Sequence, residues 1–413
     1  MKVDRRNPLH WLLLLLSAVW VMLAICLRPI LHGSMRKGRV LLYGHKLGGN
    51  LLAIQRHLRS YDAELQVSFL TMDPAYHREL VARGEGSVLS ASPASLPWLV
   101  GADALISDHG LHALQPLVGL SDIKFFDVWH AIPFKGFDAD DFRVLHRYKE
   151  AWVASPLLAG LYVDKYGFDP DKVVVTGYAR SDRLVKEKNI ATGALRQRMG
   201  LPADAGKVVL FAPTWKQDSN ERSLFPFDME ADAFCNALSD IACQLGATVI
   251  LRTHINSGRD SIDASRFRRL VSLPYADYPD TEEILLVTDV LVCDWSSIAF
   301  DFLLLDRPTV FLDVPAPFKK GFTLGPEYRF GEVVPDLGAM LHAIELAVLA
   351  PSDYMARHAT VVRNTRHEVY GRFADGNATA RCVGRLKTAL GLEGRRYHAL
   401  RTRKQEGRGF QRH

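Results

Sequence analysis

The chain has 413 residues, 48% apolar and 23% charged, with a mean hydropathy of −0.02. These are ordinary values for a globular protein long enough to hold two domains with separate cores. Net charge is +5, yet the segment 395–413 alone carries seven Arg or Lys against Glu406, so the remaining body is close to neutral. A near-neutral body gives no footing for nucleic acid. Five cysteines (26, 235, 243, 293, 382) with no Cys-x-x-Cys pair give none for a disulfide framework or a thiolate metal site.

In chain order, the first feature is the apolar run Leu9 to Leu27, 19 residues broken only by His10 and Ser17. At about 1.5 Å per residue it nearly spans a hydrocarbon core of about 30 Å. A cleaved signal peptide is the rival, but no small-x-small site follows, and Arg28-Pro29 is expected to end the helix. Leu23-Ala-Ile-Cys26 resembles a lipoprotein cleavage box only faintly, because Ile25 is the wrong residue before the cysteine. Residues 1–37 therefore read as an uncleaved single-pass membrane anchor. Lys2, Arg5 and Arg6 precede the run, while Arg28, Arg36, Lys37 and Arg39 follow it, which slightly favours a cytoplasmic body at the inner membrane.

From Arg39 onward, short apolar runs alternate with amphipathic stretches, the pattern of parallel βα units. Strands are expected at 40–43, 65–70, 104–107, 124–129, 151–154 and 173–176. A charged helical linker then covers 187–206. A second series follows at 208–212, 248–252, 270–273, 290–293 and 309–312, and helices close the chain near 335–350, 353–370 and 376–390. The expected architecture is α/β, two Rossmann-like doubly wound domains (38–186 and 207–392) facing a cleft, with a basic, disordered tail at 393–413. That tail is either merely solvated or attracted to anionic headgroups. The turn Tyr43-Gly-His-Lys-Leu-Gly-Gly-Asn50 is glycine-rich at a strand end but is neither a dinucleotide fingerprint nor a Walker loop. Asn50 and His45 are its candidates for an acceptor-side role.

The most informative stretch is Asp289 to Asp313, which reads as strand, Asp-Trp-Ser-Ser turn, helix through Leu305, and second strand after Asp306-Arg-Pro. Asp294 stands where an N-cap belongs, and Ser296 and Ser297 would put two hydroxyls on the first helical turn. Such a turn suits a diphosphate, although plain helix capping explains the same residues equally well.

This stretch resembles the Asp-Tyr-Ser-Ser…Phe-Asp…Pro block of the CDP-glycerol glycerophosphotransferase family, enzymes that prime and polymerise teichoic acids. Three further blocks fall in the family's order. Val128-Trp-His-Ala-Ile-Pro-Phe-Lys-Gly136 is similar to its Trp-His-Gly-Thr-Pro-Leu-Lys. Phe211-Ala-Pro-Thr-Trp-Lys216 is similar to its Tyr-Ala-Pro-Thr-Trp-Arg, and Gly177-Tyr-Ala-Arg-Ser-Asp182 to its Gly-x-Pro-Arg-x-Asp. Arg252-Thr-His254 stands where the family carries Lys/Arg-x-His-Pro, with Ile255 in place of the proline.

The resemblance implies a GT-B-type fold and a CDP-alditol donor, typically CDP-glycerol, attacked at phosphorus by an acceptor hydroxyl with loss of CMP. The acceptor would be a lipid-linked or surface glycan at the membrane. His130 is the expected base, with His254 as a second catalytic residue. Arg252, Thr214, Lys216, Asp294, Ser296 and Ser297 are the expected donor-phosphate contacts, and Lys135 joins Asn50 on the acceptor side. No metal constellation and no cofactor are expected, since cations and a helix end can hold the diphosphate. Arg180 and Asp182 read as a structural ion pair near the hinge. One departure stands out: Ala131-Ile132 replaces the family's Gly-Thr after the histidine. It motivates one alternative, a catalytically silent relative in a glycan-assembly complex. A second is a nucleotide-sugar glycosyltransferase on the same scaffold.

Overall fold

A computed structural model describes residues 7–214, 225–252, 263–275 and 277–392. Two all-parallel sheets carry the body. The first holds β1 (Arg39–Tyr43), β2 (Gln66–Thr71), β3 (Ser87–Leu89), β4 (Ala102–Ser107), β5 (Lys124–Asp127), β6 (Glu150–Val153) and β7 (Val173–Val175). Their order is β3-β2-β1-β4-β5-β6-β7. The second holds β8 (Val208–Phe211), β9 (Thr248–Leu251), β10 (Leu270–Ser272), β11 (Val290–Cys293), β12 (Thr309–Leu312) and β13 (Glu332–Val334), in the order β10-β9-β8-β11-β12-β13. The central strands are buried on both faces, which is why they read as continuous apolar runs such as Val-Leu-Val-Cys. The edge strands β3 and β13, three residues each, have too little pattern to show in the sequence.

In each sheet the strand order reverses direction at one place, between β1 and β4 in the first and between β8 and β11 in the second. In open parallel sheets the crevice beyond the carboxyl ends of the strands at such a point is where ligands bind. The chain puts Gly44-His45 and Asp108-His109 beyond the first pair. It puts Ala212-Pro-Thr214 and Asp294-Trp-Ser-Ser297 beyond the second.

The halves meet through the stretch after His130. Lys135 and Phe322 form an antiparallel bridge, Gly136 N donates to Gly321 O at 2.7 Å, and Thr323 N donates to Phe134 O at 2.8 Å. Any Cβ at Gly136 would strike the carbonyl oxygens of Lys320 and Gly321, so the glycine is required by the approach of two backbones. Phe134 packs on Trp295 and Phe300, joining both halves in one apolar cluster.

Two expectations are corrected at this level. The second domain does not keep its C-terminal helix, because Ala378–Leu390 crosses back and buries Cys382, Val383 and Leu386 with Val40, Leu42 and Ile54 of the first half. The N-terminal helix runs from Pro8 to Leu31, through Pro29 rather than ending before it. It is long and apolar enough to cross a membrane, but it does not stand free: Leu13, Ser17, Val21, Ala24 and Arg28 are buried. The expected basic tail at 393–413 lies outside the described residues.

Candidate active site

His130 follows β5 by three residues, and the path to it is unusual. Trp129 adopts φ of +42°, a left-handed conformation that a bulky side chain rarely tolerates. Two buried polar side chains hold it there. Asp127 Oδ1 accepts from Trp129 N at 3.3 Å, and Asn50 Nδ2 donates to the carbonyls of Val128 (2.8 Å) and Trp129 (3.0 Å). Asn50 Oδ1 also accepts from Arg180 N at 3.0 Å. Both of its amide hydrogens and its oxygen are thus used within the protein, so Asn50 positions the His130 turn. Expected as an acceptor contact, it has no donor left to offer one.

The ring of His130 lies between Trp129 (centroids 4.6 Å apart) and His109, stacked at 4.2 Å and 14°. Its Nδ1 lies 2.9 Å from Asp108 O. A carbonyl oxygen only accepts, so Nδ1 carries the proton and the Nε2 lone pair is left available. Part of the residue reaches solvent, yet the ring is crowded, and that crowding together with His109 depresses its pKa to about 3. It is a neutral imidazole at physiological pH, the form a base must have.

Around it the topology assembles groups that linear reading did not connect. His45 after β1 lies 4.4 Å from His109 and 5.8 Å from His112, ring to ring. Asp108 Oδ1 lies 2.7 Å from His109 Nδ1, and the Tyr43 hydroxyl 3.1 Å from His112 Nδ1. Burial holds His45 near 3 and His109 near 4, and it pushes the Asp108 carboxyl up to about 7. Although four histidines gather here, among the described residues no three His, Cys, Asp or Glu groups converge as metal ligands would. The sequence signal was present: Ser107-Asp108-His109-Gly110 ends the strand beside β1, at the point where the sheet order turns.

On the second half, Asp294 does not cap a helix. Its Oδ1 accepts from Thr214 N at 2.6 Å and also from Thr214 Oγ1, tying the loop after β8 to the loop after β11. The helix starts later and stops sooner than expected, at Ile298–Leu303, with Ser297 as its N-cap residue. Ser296 and Ser297 are half-buried in the turn before it. Thr214 and Asp294 therefore shape this crevice, and the serines line the turn that they fix. Arg252, expected on the donor phosphates, is buried and donates to Leu273 O (3.3 Å), Tyr278 O (3.1 Å) and Thr281 Oγ1 (2.8 Å). It ties Leu273, Tyr278 and Thr281 together, and burial lowers its pKa to about 10. His254 and Lys216 lie outside the described residues. Lys135 sits in the bridge between the halves, its Nζ 5.0 Å from the Phe137 ring centre.

Arg180 links the halves at the site. It donates through Nη1 to His130 O and pairs through Nη2 with Asp301 at 2.9 Å, both charges being buried. The expected Arg180–Asp182 pair does not form. Asp182 instead accepts from Ala378 N and Thr379 N, each at 2.8 Å, and anchors the returning C-terminal helix. Ile132 is fully buried in the joint core and Ala131 nearly so, with Tyr178 OH donating to Ala131 O. The departure from the family pattern thus falls on a core position. A cavity of about 610 Å³ between the helices Gly49–Tyr61 and Ser181–Glu187 borders the site through Arg180, and none of the four clustered histidines lines it.

Comparison with known proteins decides the lineage. Residues 30–387 match the family described as CDP-Glycerol:Poly(glycerophosphate) glycerophosphotransferase. The chain belongs to this family. It is a phosphotransferase of that type, with a GT-B-type fold. A teichoic acid glycerol-phosphate transferase of Staphylococcus aureus is 25% identical over 284 residues, which is 62% of this chain and 69% of that one. A teichoic acid poly(glycerol phosphate) polymerase of Staphylococcus epidermidis is 27% identical over 210 residues, 45% of this chain and only 28% of the polymerase. This family member therefore matches less than a third of that polymerase. Among solved structures, the wall teichoic acid polymerase TagF superimposes with a TM-score of 0.72 at 18% identity, covering 91% of this chain and 94% of that one, which establishes the shared fold.

Proposed function

We propose that the protein transfers glycerol phosphate, or a related alditol phosphate, from a CDP-alditol to a hydroxyl of a membrane- or lipid-linked glycan acceptor, releasing CMP. The observation that carries this reading is His130. Its Nδ1 is committed to Asp108 O, and its Nε2 is available at the sheet's ligand crevice. Nε2 removes the acceptor proton as the hydroxyl attacks the alditol-bearing phosphorus. The Asp294–Thr214 tie supports a donor site in the opposing crevice, where Ser296, Ser297 and the turn's N–H groups face developing charge. His254 and Lys216 follow β9 and β8 in sequence and would add charge on the same side. The body works on the cytoplasmic face, where nucleotide donors are found.

Burial of Ile132 disfavours the silent-relative alternative, because the residue that departs from the family pattern is not directed at a ligand. The glycosyltransferase alternative is separated by product. The full-length protein is incubated with CDP-glycerol, CDP-ribitol and UDP- and GDP-sugars in the presence of a polyprenyl-linked glycan. Release of CMP from a CDP-alditol is the expected result, and release of UDP or GDP would overturn it.

A further inference from the structure

The first-half crevice holds more imidazoles than a base requires. His130 takes one proton from one hydroxyl, yet three further rings gather beside it. Centroids are 4.2 Å apart for His109 and His130, 4.4 Å for His45 and His109, and 5.8 Å for His45 and His112. The backbone is shaped to bring them there. A Cβ at Gly44 would strike the Asp108 carboxylate, so this glycine lets the turn after β1 close onto the turn after β4. His112 takes φ of +48°, in the left-handed region, where its Nδ1 meets the Tyr43 hydroxyl.

The open side of the cluster offers ring nitrogens. Among the described residues no hydrogen bond engages either nitrogen of His45. Nε2 of His109 and of His112 are also uncommitted, because their Nδ1 atoms meet Asp108 and Tyr43. His45 and His109 are half-buried and His112 is exposed, so a ligand reaches all three. A site for neutral hydroxyls would mix acceptors with these donors. Here both carboxyls lie beneath the rings and are in use, Asp108 on His109 and Asp127 on Trp129 N. Cations flank the group instead. Lys46 follows His45 with its Nζ 3.8 Å from the Tyr76 ring centre, and Arg180 reaches the His130 carbonyl.

The arrangement suits an anion. An imidazolium at His109 would be balanced by Asp108, while the other titratable groups about it (His45, His112, His130, Tyr43 and, from the second half, Tyr275) carry no negative charge. With a proton taken from solvent, its Nε2 becomes an N–H donor. Spacings of 4.2 to 5.8 Å between neighbouring rings are also of the order of one alditol unit, hydroxyl to ester phosphorus.

We propose that His45, His109 and His112 form a phosphate site for the acceptor, about one alditol or sugar unit from the hydroxyl that His130 deprotonates. The inference rests on the transfer reading. The phosphate has two possible sources, the phosphodiester of an alditol-phosphate chain or the diphosphate that joins a glycan to its lipid. The test gives the full-length protein CDP-glycerol and three acceptors: a disaccharide on a neutral alkyl group, the same disaccharide ending in glycerol phosphate, and the same disaccharide on a polyprenyl diphosphate. One phosphate-bearing acceptor should have a KM about tenfold or more below that of the neutral one, and which one it is identifies the source. His45→Gln and His112→Gln should each erode that advantage, leaving the KM for CDP-glycerol unmoved. Equal KM values for the three acceptors in wild type, or folded variants that keep the full advantage, would overturn the proposal. Calorimetry with the same acceptors and no CDP-alditol reads the contrast without turnover. Tighter binding of a phosphate-bearing acceptor by wild type than by the variants supports the site even where no CMP forms, and equal affinities overturn it even where CMP does form.

Discussion

One nitrogen of His130 is committed to a carbonyl and the other is available, and the groups that enforce this are themselves titratable. Asp127 is buried with Oδ2 unpartnered, and burial raises its carboxyl to about 8. The folded state therefore binds a proton that the unfolded chain gives up near pH 4, so this residue's contribution is present below that value and is lost as pH rises through about 8. Wild type should lose stability relative to Asp127→Asn between pH 6 and pH 9, by at most about 1.4 kcal/mol per pH unit. Thermal melts of both proteins at several pH values check this, and parallel curves would contradict it. Ile132→Thr, which restores the family's hydroxyl, should cost about 2 kcal/mol by placing a hydroxyl in the joint core and should not raise turnover. Denaturant titration and a CMP-release assay measure the two effects. At this scale the sequence disclosed His130, but not His109 or Asp108. Their importance depends on β4 lying between β1 and β5, an adjacency that no local pattern states.

At the scale of elements, the site is two loop pairs held by side chains rather than by regular structure. The helix after Asp294 illustrates what sequence could not resolve. An Asp followed by small polar residues reads as a cap, yet here the carboxylate finds Thr214 from another strand end, and the helix starts only at Ile298. Tertiary partners overrode a local preference. Arg180 is the element-scale counterpart, spanning from the His130 loop to the helix Ile298–Leu303. Arg180→Gln should destabilise the fold by about 3 kcal/mol, because Asp301 is left buried without its charge partner. It should also lower kcat by loosening the carbonyl of His130. Restoration of stability, but not of rate, in Arg180→Gln/Asp301→Asn would separate the two roles, measured by chemical denaturation and steady-state kinetics.

At the largest scale, alternating apolar runs were enough to foresee two parallel sheets, and eleven of the thirteen strands among the described residues lie where those runs fall. The exceptions have physical causes. β3 and β13 are short edges, and the C-terminal helix returns to the first half because its apolar stripe completes that core, a pairing that composition does not reveal. The N-terminal helix was legible as apolar but not as docked, since Ser17 and Arg28 look like blemishes in a span until Ser90 and Asp122 are brought to meet them. The central claim unites the scales: two switch-point crevices, joined through Arg180 and the Phe134 core, carry out alditol-phosphate transfer with His130 as base. Its most direct test is CMP release from CDP-glycerol by the full-length protein with a lipid-linked acceptor, compared between wild type and His130→Ala. The account predicts CMP formed in step with acceptor extension and a fall of about 1,000-fold or more in the variant. Undiminished release by His130→Ala, with its fold intact, would contradict it.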